Sequence, residues 1–133
     1  MKQAAELERA FRTVFRTLRQ EVNKLMGDEV TSNEFTVLKL IADGPKMASA
    51  ISKELNVSAS HITSVTDSLV RKGYMTRSRS ENDRRVVELV LTETGSKLVE
   101  KLEEKKSAYL QAKFRSFTEE ELDQLVKLFQ KLM

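Results

Sequence analysis

The sequence contains no cysteine, one histidine, one proline and only four glycines among its 133 residues. Without cysteine the chain forms no disulfide, thiolate zinc site or thiol redox centre. A single histidine, His61, cannot build a histidine-rich metal site within one chain, and no glycine-rich phosphate loop is present. The sequence also lacks a recognisable set of nucleophile, base and orienting group. These absences argue against a metalloprotein and against an enzyme, and the scarcity of glycine and proline favours long helices.

Long apolar runs are also missing. No segment approaches the roughly 20 apolar residues that a membrane helix needs, and the first residues lack the apolar core of a signal peptide. Hydrophobic residues make up 40% of the chain and charged residues 32%, a mixture typical of globular proteins. We therefore expect a globular, cytoplasmic protein with no membrane partner.

The net charge of +3 is small, but it is unevenly distributed. Residues 1–45 carry 7 basic and 7 acidic side chains, and residues 93–133 carry 8 of each, whereas residues 46–92 carry 8 basic and 5 acidic ones. Six of these basic side chains lie between Arg71 and Arg85. A local basic patch on a near-neutral protein indicates a polyanionic partner, although a solvated loop would have the same composition.

Apolar spacing and capping residues predict six helices and one hairpin. The first helix carries an apolar stripe at spacings of three and four residues and ends at Gly27. Thr31 with Glu34, and Thr118 with Glu121, have the pattern of capping boxes. The predicted helices span residues 5–26, 31–43, 46–55, 58–72, 93–115 and from 118 onward, and the predicted strands span residues 74–78 and 86–91.

The third and fourth predicted helices are joined by only three residues, Asn56, Val57 and Ser58, which is the spacing of a helix–turn–helix. Asn56 tolerates the left-handed conformation that such a turn requires, and Ser58 is a suitable N-cap. The hairpin that follows has a polar, arginine-rich tip at residues 79–85. A helix–turn–helix with a basic hairpin behind it is a winged helix, so the predicted fold class is mostly α with a small β-hairpin.

The fourth predicted helix has two different faces. Ile62, Val65 and Leu69 fall together and are expected to face the core. The opposite face carries small hydrogen-bonding side chains, which suit a helix that enters the major groove of DNA; a plain serine- and threonine-rich surface helix would have the same pattern. The outer and flanking residues are Ser60, His61, Thr63, Ser64, Asp67, Ser68 and Arg71.

Several short motifs in this region together resemble the MarR family of bacterial regulators. They are the Leu-x-x-Lys-Gly pattern at Leu69–Gly73, the following Arg77, the Asp-x-Arg tip at Asp83–Arg85 and the Leu-Thr-x-x-Gly step at Leu91–Gly95. Each motif alone is weak, but all of them occur in the right order and at the right spacing. The helix order on both sides also matches, so the resemblance covers nearly the whole chain.

The resemblance implies a transcriptional regulator, usually a repressor, that binds a pseudo-palindromic operator in double-stranded DNA as a homodimer. It assigns residues 31–92 to a winged helix–turn–helix lobe, with the recognition helix at about 58–72 and the wing at about 74–91. Residues 1–30 and 93–133 then form a helical dimerisation domain.

The resemblance also implies roles for individual side chains. Asp83 is expected to steady the wing by ion pairing, and Arg85 is expected to probe the minor groove. Arg77 and Arg84 fall where either contact with the DNA backbone or bracing of the wing is expected. The residues predicted to bind DNA are Ser58, Ser60, His61, Thr63, Ser64, Arg71, Arg77, Arg84 and Arg85.

The sequence departs from the family pattern in ways that bear on regulation. Asn56 stands where the family more usually has glycine in the turn. The absence of cysteine excludes the peroxide-sensing mode of one branch, and the absence of a His/Cys/Asp cluster argues against the metal-sensing branch. The resemblance then implies either a small organic effector, often aromatic and anionic, between lobe and dimerisation domain, or no effector. No other cofactor is expected.

Apolar residues outside the lobe are expected to form the dimer interface. The last helix has a narrow apolar seam at spacings of three, four and three residues, similar to that of a coiled coil. This seam and the stripe on the first helix are too apolar to stay exposed on a monomer. The predicted interface residues are Leu7, Phe11, Val14, Leu18, Leu122, Leu125, Phe129 and Leu132.

An alternative function is a winged helix that binds proteins, because the fold alone does not determine the ligand. The concentration of arginine at the wing tip and the small polar side chains on the fourth helix favour DNA.

Overall fold

The computed structural model describes all 133 residues, which form six helices and one two-stranded hairpin. The helices are α1 (Lys2–Met26), α2 (Ser32–Ala42), α3 (Ala48–Leu55), α4 (Ala59–Arg71), α5 (Glu93–Lys113) and α6 (Glu119–Gln130). The strands β1 (Met75–Arg79) and β2 (Val87–Leu91) lie between α4 and α5 in the chain. The predicted fold class is therefore confirmed. None of the six helices combines the length and the apolar character needed to cross a membrane.

Side-chain caps begin α2, α4 and α6 at the predicted residues. The hydroxyl of Thr31 accepts from the N–H of Glu34 at 3.1 Å, and the carboxylate of Glu34 accepts from the N–H of Thr31 at 2.8 Å. Thr118 and Glu121 form the same reciprocal box. Ser58 accepts from the third N–H of α4. These caps satisfy N–H groups that have no partner within the helix, so each fixes the residue at which its helix begins.

The start of α3 differs from the prediction. The sequence pattern places it at Lys46, but Lys46 forms an antiparallel bridge with Leu89 of β2, with N···O distances of 3.2 and 2.7 Å. This bridge holds the backbone after Pro45 in an extended form, so the helix begins only at Ala48. At its other end, Asn56 adopts the predicted left-handed conformation with φ 54° and ψ 50°.

The two strands form a regular antiparallel hairpin, in which Met75 lies opposite Leu91 and Arg79 lies opposite Val87. Each strand begins one residue later than predicted. Tyr74 still belongs to the turn that closes α4, because its N–H donates to the carbonyl of Leu69 at 3.0 Å. The wing (residues 75–91) therefore starts directly from the C-terminal turn of α4.

A single hydrophobic core joins α2, α3, α4 and the wing to the end of α1 and the first half of α5. The predicted inner face of α4, Ile62, Val65 and Leu69, lies in this core. Burial of these side chains is the main favourable contribution to folding, at about 1.5–3 kcal/mol for each large aliphatic side chain. The core consists of Met26, Val30, Phe35, Val37, Leu38, Ile41, Ile51, Ile62, Val65, Leu69, Met75, Leu89, Leu98, Val99 and Leu102.

Helix α6 lies outside this core, and none of its residues is buried within the chain. Its aromatic side chain Phe129 packs against Phe11 of α1, with ring centroids 5.6 Å apart. Several other apolar side chains of these two helices are about half-exposed, among them Leu7, Val14 and Val126, and Leu132 just beyond α6 is 71% exposed.

Gly95 allows the first turn of α5 to pack against the start of the wing. Thr92 caps α5 by accepting from the N–H of Gly95 at 3.0 Å, and its hydroxyl donates to the carbonyl of Gly73 at 2.8 Å. A Cβ atom at position 95 would lie 2.0 Å from the carbonyl oxygen of Tyr74. Only glycine fits there without moving the backbone of one of the two elements.

We expect Gly95→Ala to lower the free energy of unfolding by about 1–3 kcal/mol, because the added methyl group overpacks against a backbone atom. The matched control is Ser96→Ala, an exposed change in the same turn that should stay within about 0.5 kcal/mol of the unmodified chain. Urea unfolding at a fixed protein concentration measures both variants. If the two variants were equally stable, the approach of position 95 to the carbonyl oxygen of Tyr74 would not require glycine.

Candidate nucleic-acid interface

The recognition helix α4 presents a polar face to solvent opposite its buried face. The side chains predicted to contact DNA are all exposed, whereas the neighbouring Thr66 is buried and its hydroxyl donates to the carbonyl of Thr63 at 3.2 Å. The exposed residues at the start of α4 and along its outer face are Ser58, Ser60, His61, Thr63, Ser64, Asp67 and Arg71.

Several of the predicted groove-contacting hydroxyls already have partners within the chain. Ser58 accepts from the N–H of His61 at 3.1 Å and lies 3.2 Å from the hydroxyl of Ser60. Thr63 donates to the carbonyl one turn earlier at 3.0 Å. The hydroxyl oxygens of Ser60 and Thr63 each keep a free lone pair, so they can still accept a hydrogen bond from a base edge. The hydroxyl of Ser64 makes no such bond and is free to donate or accept.

The tip of the wing is organised by Asp83 and Arg85. The carboxylate of Asp83 accepts from Nε and Nη2 of Arg85, both at 3.2 Å, and from its backbone N–H at 3.0 Å. These bonds from the side chain and backbone of Arg85 lower the pKa of Asp83. The side chain of Arg85 nevertheless remains 91% exposed. The pair therefore orients a guanidinium at the tip without burying it.

Arg79 and Arg84 lie at the base of the same tip. The guanidinium of Arg79 donates to the carbonyl of Arg84 at 2.8 Å and so ties the two sides of the loop together. Arg79 was not among the residues predicted from the sequence to bind DNA. Its position in the arginine-rich tip was the only signal that it belongs to this site. The guanidinium of Arg84 is exposed and makes no ion pair within the chain.

Arg77 on β1 pairs with Asp67 on the outer face of α4. This contact connects the wing with the recognition helix and neutralises a carboxylate that would otherwise repel phosphates. The sequence left two roles open for Arg77, contact with the DNA backbone or bracing of the wing. In the chain without DNA, Arg77 makes the bracing contact. Both side chains are about half-exposed, so the pair contributes at most about 1 kcal/mol to stability.

Sequence reasoning missed Glu34 as a residue that positions this interface. Its side chain is only 6% exposed, and it accepts from Ser68 and Lys72 of the recognition helix in addition to its cap on Thr31. Ser68, assigned from the sequence to the flank of the outer face, instead turns toward this carboxylate. The capping-box pattern was the only signal for Glu34, and it gave no indication of the partners on α4.

Burial by itself raises the pKa of Glu34, but the hydrogen bonds from Thr31, Ser68 and Lys72 and the charge of Lys72 outweigh burial and hold the pKa below its ordinary value. Because the pKa is lowered by folding, the carboxylate stabilises the folded chain at pH values above the ordinary pKa. That contribution is lost as the pH falls through the lowered value.

A family model described as the MarR family matches residues 30–87, which include α2, the helix–turn–helix and most of the wing. The HTH-type transcriptional regulator YpoP of Bacillus subtilis is 42% identical over 128 residues, which cover 96% of this chain and 91% of YpoP. The chain belongs to the MarR family. This MarR-family chain is thus a winged helix–turn–helix transcriptional regulator and not an enzyme, as predicted.

Solved structures of family members have the same fold along nearly the whole chain. A MarR-family protein from Bacillus stearothermophilus superposes with a TM-score of 0.86 at 26% identity, covering 98% of this chain and 93% of that protein. FabT of Streptococcus pneumoniae, solved in complex with DNA, superposes with a TM-score of 0.84 at 28% identity, covering 97% of this chain and 94% of FabT. The comparisons support DNA as the ligand of this MarR-family fold.

Proposed function

We propose that the chain acts as a homodimer that binds a pseudo-palindromic operator and represses transcription, and that a small aromatic anion releases it. Because its proposed partner is chromosomal DNA, we also propose a cytoplasmic location. The observation that carries the proposal is the combination of an exposed small-polar face on α4 with an oriented, exposed arginine at the wing tip. The first is suited to the major groove and the second to the minor groove.

The small polar side chains of α4 and the arginine of the wing are proposed to contact different grooves of the DNA. The hydroxyls and His61 on α4 reach base edges only from within the major groove, where each base pair has a distinct pattern of donors and acceptors. Arg85 extends from the wing, and a narrow minor groove attracts its charge with little regard to base identity. Arg71 and Arg84, both exposed and without an ion pair, are suited to phosphate contacts.

The apolar surface of α1 and α6 supports the homodimer. Of the eight residues proposed for its interface, Leu7, Val14 and Leu132 are 53%, 50% and 71% exposed in the single chain, and the others are partly buried. An apolar surface that spans two helices is expected to be covered in a stable regulator. A two-fold axis through this surface gives each operator half-site one lobe, with half-sites about 10 base pairs apart.

A cleft of about 540 Å³ supports the proposed effector. It lies between α2, α5 and α6, where the lobe meets the proposed dimerisation helices. Lys39 and Lys106 contribute two ammonium groups, and Leu110, Phe114 and Leu122 contribute an apolar wall. This arrangement suits a flat apolar molecule with one carboxylate.

One oxygen in this cleft lacks a hydrogen bond. The ammonium of Lys39 lies 3.0 Å from Oε1 of Glu103, but outside the direction in which a hydrogen bond forms, so that buried oxygen is ion-paired only. An incoming carboxylate would have to share the Lys39 ammonium with Glu103, whose buried oxygen makes no hydrogen bond that holds it in this position.

For the wing, we expect Arg85→Ala to weaken binding to all DNA sequences by about 1–3 kcal/mol and to lower the salt slope by about one. Asp83→Ala should have a milder effect of the same kind, because it removes the support and keeps the charge that contacts DNA. Ser64→Ala should change the preference among bases and leave the salt slope unchanged. Titrations across salt, with an operator selected from random duplex DNA, measure all three variants.

The control for the wing variants is Arg16→Ala, which removes the same charge from an exposed position on α1 without an ion pair. It should bind DNA as the unmodified chain does. If Arg85→Ala also binds as tightly as the unmodified chain at every salt concentration, the wing does not touch DNA, and protein binding becomes the favoured function.

For the dimer, we expect a two-fold interface that buries more than roughly 2,000 Å². Leu125→Asp should give monomers or unfolded chains, and Leu132→Asp should weaken the dimer without harming the subunit, because Leu132 is largely exposed within the chain. Gln124→Asp, which puts the same carboxylate on an exposed position of α6, is the control. Analytical ultracentrifugation gives the mass, and footprinting gives the number of half-sites. A stable monomer that binds a single half-site tightly would contradict the prediction.

For the effector, we expect benzoate, used as a probe, to bind the cleft and to weaken operator binding. Lys39→Met should abolish both effects, because it removes the ammonium and keeps the apolar stem. Lys105→Met, an exposed change on α5 outside the cleft, is the control and should respond as the unmodified chain does. Calorimetry measures binding of the probe, and a DNA titration measures release. Identical responses of the Lys39→Met and Lys105→Met variants would contradict the assignment of the cleft.

A further inference from the structure

The carboxylate of Glu34 has more partners than a helix cap requires. Its Oε1 accepts from the N–H of Thr31 at 2.8 Å and from the ammonium of Lys72 at 2.9 Å. Its Oε2 accepts from the hydroxyl of Ser68 at 2.7 Å and from the same ammonium at 3.1 Å. A carboxylate in a buried position needs such donors because an unpaired charge there is strongly unfavourable. Capping α2 requires only the first of these bonds, and the others connect α2 to the C-terminal end of α4.

Two of the partners belong to the recognition helix and lie one turn apart. Ser68 is in the last turn of α4, and Lys72 is the residue that ends the helix. The apolar contacts on the inner face of α4 are non-directional and tolerate small rotations and shifts of the helix. Hydrogen bonds restrict both distance and direction. Glu34 therefore adds a directional restraint on the rotation and axial position of α4 relative to α2, beside the packing of the core.

The same contact withdraws Lys72 from the DNA-facing surface. Lys72 is one of the six basic side chains between Arg71 and Arg85, but its ammonium lies within 3.1 Å of both carboxylate oxygens of Glu34. Its neighbour Arg71 is exposed and makes no ion pair. Lys72 is thus placed to anchor the recognition helix, whereas Arg71 is free to meet a phosphate.

We propose that Glu34 is a positioning residue for operator recognition, which acts through Ser68 and Lys72 to hold α4 in the orientation that matches the base edges. The inference rests on the proposed function, because it requires a specific operator. Base contacts are directional, while contacts with phosphates position the protein without reading sequence. Loss of the Glu34 contacts therefore lowers discrimination between operator and other DNA more than it lowers sequence-independent binding.

The experiment compares Glu34→Gln, Lys72→Met and the double variant Glu34→Gln/Lys72→Met with the unmodified chain. Glu34→Gln keeps the oxygen that caps Thr31, and the double variant removes both charges, so that no buried charge is left without its partner. Arg71→Met is the control, because it removes a neighbouring basic side chain that does not touch Glu34. Three quantities are measured for each: the melting temperature, the affinity ratio of operator to unrelated DNA, and the salt slope.

We expect the ratio to fall roughly tenfold, the worth of about one base contact, in the Glu34→Gln and double variants at a temperature where both are folded. The salt slope of Lys72→Met should stay unchanged, and that of Arg71→Met should fall by about one. A double variant that discriminates as well as the unmodified chain would overturn the proposal, as would a lowered salt slope for Lys72→Met with full discrimination. Failure of the proposed function itself is a separate result, because the unmodified chain would then show no operator preference.

Discussion

The recognition helix α4 is anchored to the rest of the lobe from one side only. Its outer face is exposed, as the proposed entry into the major groove requires, and Ile62, Val65 and Leu69 are its main apolar contacts with the core. The structure supplements them at the ends of the helix, where contacts do not obstruct the outer face. Ser58 caps the N-terminus, and the buried carboxylate of Glu34 holds the last turn. The orientation of α4 thus depends on α2, which itself packs against α5.

The arginines of the wing are held by partners that leave them accessible. Asp83 is two residues from Arg85 and hydrogen-bonds both its backbone and its side chain, so the pair restrains the tip without long-range contacts. Arg77 reaches across to Asp67 on α4, and this pair links the wing and the recognition helix. Because these pairs are exposed, their contribution to stability is small. Their contribution to the interface is orientation, which reduces the side-chain freedom lost on binding.

The chain has apolar side chains of two kinds: those buried in its core, and those of α1 and α6 that stay partly exposed. One core joins the lobe to the end of α1 and the first half of α5, whereas α6 has no fully buried residue and meets α1 through Phe11 and Phe129. Between these parts lies the cleft with Lys39 and Lys106. Lys39 is on α2, the same helix that carries Glu34, so the cleft and the recognition helix have one structural element in common.

The sequence by itself determined the features that depend on neighbouring residues. Caps involve side chains three residues from their targets, and the left-handed Asn56 is equally local, so spacing and residue type were enough to predict them. The Asp83–Arg85 pair is also local, but it was the resemblance to the family that implied it. The helix–turn–helix, the hairpin and the inner face of α4 follow from periodicity in the same way. Tertiary structure alone decided the contacts between distant segments, among them the Glu34–Lys72 pair and the Lys46–Leu89 bridge. These contacts form only when packing brings two elements together, and no local pattern specifies which polar groups then meet.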